Sequence, residues 1–142
     1  MHILHKTLAA AAFFVFLLPL YCSADESGID RNKDGKADRW IEARQSGGQI
    51  VSSDNNYDGV IDYILEIDEF GNKIYEETDF NLDGSMDDFY FYSNGVLVRQ
   101  EIDTNYDNKI DIFIYLEKGI YITKVERDKN FDGIIDYTKQ YK

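Results

Sequence analysis

Residues 54–63 read Asp54-Asn55-Asn56-Tyr57-Asp58-Gly59-Val60-Ile61-Asp62-Tyr63 (DNNYDGVIDY), and the chain carries four near copies of this stretch. They are DRNKDGKADR from Asp30, DFNLDGSMDD from Asp79, DTNYDNKIDI from Asp103 and DKNFDGIIDY from Asp128, with starting points 24, 25, 24 and 25 residues apart. A fixed period in this range marks a chain built from one supersecondary unit, each copy burying its apolar surface against its neighbours.

Within the unit, polar residues fall at fixed places. Positions one, five and nine are always Asp: Asp30, Asp34 and Asp38; Asp54, Asp58 and Asp62; Asp79, Asp83 and Asp87; Asp103, Asp107 and Asp111; Asp128, Asp132 and Asp136. Position three is always Asn, namely Asn32, Asn56, Asn81, Asn105 and Asn130. No Glu stands in for Asp, so the short reach of the side chain matters and not charge alone. Calcium accounts for that choice, since it takes six to eight oxygen ligands at about 2.3–2.6 Å and a tight loop delivers short side chains from alternate positions. Position six must then turn sharply; it is Gly35, Gly59, Gly84 and Gly133, with Asn108 in the fourth copy as the best substitute for glycine in a left-handed backbone. Position seven can offer its carbonyl, which leaves its identity free: Lys36, Val60, Ser85, Lys109 and Ile134. Position eight, Ala37, Ile61, Met86, Ile110 and Ile135, reads as an apolar pin into a core.

The D-x-N-x-D-G pattern resembles the opening of EF-hand and dockerin calcium loops. Those families complete the metal's sphere with an acid at position twelve, where this chain has Ile41, Leu65, Tyr90, Ile114 and Lys139. With Asp at position nine, the pattern is similar instead to the strand-flanked calcium loops of FG-GAP-type repeats. That resemblance implies bound calcium and a β-strand directly after each loop.

Local composition agrees with strands. YILEI (63–67), FYFY (89–92) and IFIYL (112–116) are β-branched and aromatic, and no sustained 3.6-residue apolar period occurs. Turn signals follow at Gly47-Gly48, Gly71-Asn72, Asn94-Gly95 and Lys118-Gly119, and VLVRQEI (96–102) and IYITKVE (120–126) read as returning strands. The expected fold is all-β: an antiparallel meander of roughly nine strands, with calcium loops along one edge and hairpin turns along the other, open or curled into a barrel or sandwich. Alternation puts Ile61, Tyr63, Leu65 and Ile67 on one face with Ile110, Ile112, Ile114 and Leu116, and Trp40, Ile64, Phe89, Phe91, Phe113 and Tyr115 on the other. Such an aromatic stripe is expected to fill a core; left exposed, it would meet a partner.

The N-terminus is of another kind. Lys6 precedes the apolar run from Thr7 to Tyr21, too short for a comfortable membrane span and broken by Pro19. With the small residues Ser23 and Ala24 behind it, residues 1–24 read as a signal peptide cut after Ala24; the alternative is a lipoprotein signal that modifies Cys22. Residues 25–142 then form one domain of five repeats, secreted, periplasmic or held in the cell envelope. All 27 acidic residues and 14 of the 15 basic ones lie after Ala24, so these 118 residues carry a charge of −13, which repels nucleic acid and anionic membrane surfaces. The only Cys, Cys22, and the only histidines, His2 and His5, also precede the repeats. Disulfides, Cys/His zinc sites and histidine-based triads are thereby excluded from the repeat domain.

The function expected is a non-enzymatic, calcium-binding repeat protein with a structural, adhesion or interaction role, its partner a protein, a glycan or another copy of itself. Two alternatives remain. The loops could be metal-free Asx turns in a binding module, or Glu66, Glu76, Glu77 and Glu101 could include a carboxylate pair for glycoside hydrolysis.

Overall fold

The computed structural model describes residues 28–142; the expected signal peptide and Cys22 lie outside the described residues. Nine strands follow one another: β1 (Arg39–Ala43), β2 (Gln49–Ser53), β3 (Tyr63–Ile67), β4 (Lys73–Thr78), β5 (Asp88–Ser93), β6 (Val96–Ile102), β7 (Ile112–Glu117), β8 (Tyr121–Arg127) and β9 (Tyr137–Gln140). Each pairs antiparallel with the next in sequence order, giving one nine-stranded sheet. The first and last strands do not meet, so the meander stays open and forms no barrel. Strand contacts are between sequence neighbours, and no second sheet packs on either face among the described residues.

The two strand ends differ as the repeat pattern predicts. At one end the chain turns in short hairpins. Asn94 (φ 50°) and Gly95 (φ 75°) form a two-residue connection between the paired Ser93 and Val96, the positive-φ geometry that matches the twist of the strands. At the other end lie the repeated loops, the first leading into β1 and each later one between a returning strand and the next outgoing one. Register shifts recur beside the hairpins of the later repeats, at Glu66/Ile67, Phe91/Tyr92 and Tyr115/Leu116.

Cross-strand register confirms the division of faces and explains how apolar residues survive on both. One row across the sheet runs Trp40, Ser52, Ile64, Glu77, Phe89, Glu101, Phe113 and Glu126, so outgoing strands bring apolar groups and most returning strands bring carboxylates. Long charged side chains lie over the aromatic ones: the Arg99 guanidinium sits 4.1 Å from the centre of the Phe91 ring and Lys124 Nζ 3.9 Å from that of Tyr115. Tyr75 and Phe91 pack with ring centres 5.3 Å apart.

The expected core is absent. Val51 is the single buried apolar side chain among the described residues, and the aromatic stripe is half-buried under its own neighbours instead of under a second layer. Position eight likewise pins nothing: Ala37, Ile61, Met86 and Ile110 are half-buried and Ile135 is exposed. What is buried is aspartate. Asp38, Asp54, Asp62, Asp79, Asp87, Asp103, Asp111 and Asp128 all have 2–4% of their surface exposed.

Candidate metal centre

Each loop is closed by its own backbone amides. The position-one carboxylate takes one amide on each oxygen: in the second loop the Tyr57 N–H donates to Asp54 Oδ1 at 2.6 Å and the Gly59 N–H to Asp54 Oδ2 at 2.8 Å. Lys33 and Gly35 do the same for Asp30, Leu82 and Gly84 for Asp79, Tyr106 and Asn108 for Asp103, Phe131 and Gly133 for Asp128. At position three, the side-chain oxygens of Asn32, Asn56, Asn81, Asn105 and Asn130 accept the N–H of Asp34, Asp58, Asp83, Asp107 and Asp132. Those position-five carboxylates in turn accept the N–H of Lys36, Val60, Ser85, Lys109 and Ile134. The amides of the position-seven residues are thereby engaged within the loop, and their carbonyls take no part in these bonds.

Position nine ties each loop shut. Asp62 Oδ2 accepts the N–H of Asn55 at 2.6 Å and of Asn56 at 3.0 Å, and Asp38, Asp87, Asp111 and Asp136 make the corresponding bonds from Arg31, Phe80, Thr104 and Lys129. The same residue links neighbouring loops. The carbonyl of Asp38 accepts the N–H of Asp54, and Asp62 to Asp79, Asp87 to Asp103 and Asp111 to Asp128 repeat the link, each at 2.8 Å. Aspartates with a loop on both sides are therefore the buried ones, whereas Asp136 at the last loop is exposed.

The turn at position six is as expected, with Gly59 at φ 95° and Asn108 at φ 64°. Position four was not foreseen. Lys33, Tyr57, Leu82, Tyr106 and Phe131 all adopt a left-handed backbone with φ between 63° and 66°, a conformation that bulky residues avoid at a cost of about 1–2 kcal/mol each. Nothing in those residue types signals it, and local propensity points the other way.

In the first loop the three carboxylates converge: Asp30, Asp34 and Asp38 each offer an oxygen, and these lie within 4.8 Å of one another. Two ligands on opposite sides of a calcium ion stand about 5 Å apart, so the separation fits. This is the loop whose acids have Lys33, Lys36 and Arg39 beside them in sequence. The other four loops keep the same residues in the same hydrogen-bond pattern, but among the described residues their carboxylates do not close to that distance. Electrostatics differ along the loop. Amide donation from Lys36 and the Asn32 side chain hold the exposed Asp34 carboxyl below its ordinary value. Asp87 goes the other way: burial pushes its carboxyl up, and the charges of Asp79 and Asp83 add to the effect. A cation at that end of the third loop would reverse that penalty.

No family model and no curated relative matches the chain. Among solved structures, it is similar to a chain in the crystal structure of accessory secretory protein 1, 2 and 3 from Streptococcus pneumoniae, at TM-score 0.43 and 15% identity over 72% of this chain and 19% of that one. Among the described residues no helix is long and apolar enough to cross a membrane.

Proposed function

We propose that this is a calcium-binding, non-enzymatic repeat protein whose cations brace the loop edge of an open sheet that serves as a structural, adhesion or interaction module. The observation that carries this reading is the convergence of Asp30, Asp34 and Asp38 within 4.8 Å, in a loop pattern written five times. In each loop, positions one, five and nine would supply carboxylate oxygens and position three an amide oxygen; the ion would supply the positive charge that offsets three neighbouring carboxylates. Magnesium suits the site less well, because it prefers fewer protein ligands at shorter distance. The apolar run before Ala24 supports a secreted, periplasmic or envelope location.

The test is a calorimetric titration of the full chain with calcium. Saturable binding of at least three ions per chain, undiminished by millimolar magnesium, is the expected result. No binding heat, together with a melting curve indifferent to chelator, overturns the proposal.

One observation favours the second reading, a metal-free binding module. Each position-one carboxylate already accepts two backbone amides, so the loops can hold their shape as Asx turns. The same titration separates the two.

A further inference from the structure

Where the first two loops stack, a guanidinium lies between them. Arg31, at position two of the first loop, donates from Nη2 to the carbonyl of Asp54 at 3.1 Å and to Asn55 Oδ1 at 3.2 Å, with its guanidinium carbon 5.8 Å from the centre of the Tyr57 ring. These partners occupy positions one, two and four of the second loop, and among the later loops the fourth repeats the set with Asp103, Thr104 and Tyr106, whereas the third has Phe80 and Leu82 and the fifth has Lys129 at position two. Only the first step has an arginine to fill such a seat, for position two is Asn55, Phe80, Thr104 and Lys129 in the later loops.

The step between the third and fourth loops holds a cavity of about 240 Å³ at the corresponding place. Its walls include Asp103, Thr104 and Tyr106, the counterparts of Asp54, Asn55 and Tyr57, together with Phe80, which stands where the arginine would. Phe80 is 75% exposed and leaves the seat accessible. Asp88 and Ile102, opposite each other across β5 and β6, and the buried Asp87 complete the lining. The Asp88 carboxylate accepts hydrogen bonds from Tyr90 and Gln100, both neutral, and no Lys or Arg among the described residues forms a salt bridge with it. Residues 79–111 as a whole carry eight acidic and two basic side chains.

We propose that this cavity is a docking site for an arginine side chain presented by a partner protein. The guanidinium stacks on Tyr106 and Phe80 as Arg31 stacks on Tyr57, donates to the Asp103 carbonyl and to a lone pair of Thr104 Oγ1, and finds its counter-charge in Asp88. Arginine suits the seat better than lysine because a planar fork can stack on a ring while donating along its edge. None of these acceptors is itself a side-chain oxygen assigned to calcium, although Asp87 lines the cavity and the Thr104 hydroxyl donates to Asp111, so the guanidinium and a cation occupy neighbouring but separate seats.

The experiment is an NMR titration of the full chain with the blocked tripeptide acetyl-Gly-Arg-Gly-amide, once in excess calcium and once in chelator. Saturable shifts at Asp103, Thr104 and Tyr106 are expected in both conditions, with the lysine tripeptide binding several-fold more weakly. Tyr106→Leu, which puts there the residue that Leu82 already supplies at the same position of the third loop, should weaken arginine binding roughly five- to tenfold. Phe80→Arg recreates the Arg31 arrangement within the chain and should block the peptide. Absence of saturable shifts, equal binding of the lysine peptide, unchanged binding in both variants, or binding seen in chelator alone would each overturn the proposal, the last because the peptide would then only be neutralising loop carboxylates.

Discussion

Asp62 shows how one residue serves two purposes in this molecule. It is buried, its Oδ2 closes the second loop on the amides of Asn55 and Asn56, and its backbone carbonyl joins that loop to Asp79 of the next. Asp62→Asn keeps an oxygen for the amides and the carbonyl for the ladder, and removes only the charge. In calcium the variant should bind one ion more weakly and lose stability, because ligand charge tunes such sites. In chelator it should be as stable as the parent or slightly more so, since the repulsion from Asp54 and Asp58 is relieved. Denaturant midpoints in the two conditions give the answer, and equal midpoints in both, with unchanged calcium affinity, would reduce Asp62 to a turn residue. The left-handed residue at position four teaches a different lesson: in that conformation the amide of Tyr57 donates to Asp54 at 2.6 Å, a charge-assisted bond that offsets the side chain's preference.

Hairpins and strands can be tested by simple exchanges. The turn after β7 uses Lys118 at φ 56°, where Asn is better tolerated, as at Asn94. Lys118→Asn should stabilise the protein by roughly 0.5–1 kcal/mol, read as a higher urea midpoint, since the exposed Lys118–Glu117 pair it removes is worth little. In the strands, carboxylates between aromatic residues do the work of a missing second layer. Glu76 on β4 accepts Lys73 Nζ at 2.6 Å, the Tyr63 hydroxyl at 2.7 Å and the Tyr92 hydroxyl at 2.8 Å. Burial pushes its carboxyl up, but these three donors outweigh burial and leave it below its ordinary 4.5. A carboxyl held low when folded stabilises fully above its unfolded value and loses that contribution as pH falls through the folded one. Glu76→Gln should therefore cost stability near about pH 6, and the gap to the parent should narrow as pH drops toward about 3, in urea melts at both values.

At the scale of the sheet, an open single layer with one buried apolar side chain among the described residues has to draw cohesion from strand pairing, same-face contacts and the stacked loops. Residues 25–142 carry −13, and five calcium ions would bring that to −3. Because binding to the folded state alone adds about 2.7 kcal/mol per site at one hundred times the dissociation constant, excess EDTA should lower the thermal midpoint substantially. A melting curve unchanged by EDTA would remove the calcium reading and leave the metal-free loops.

The sequence by itself determined the repeat, the strand order, the two unlike strand ends and the division of faces, because period, alternation and turn chemistry act over a few residues at a time. β3 and β6 run from Tyr63 to Ile67 and from Val96 to Ile102, as their composition alone indicates. The tertiary structure decided how the faces are covered, whether the sheet closes, and which aspartates are buried. Those depend on groups distant in sequence, from half a repeat to a whole one: Glu77 and Glu101 beside Phe89, the Asp62 carbonyl against the Asp79 amide, the Arg31 guanidinium over Tyr57. A residue's own type says what it can bond, but burial is set by the neighbour that the next strand or the next loop brings beside it.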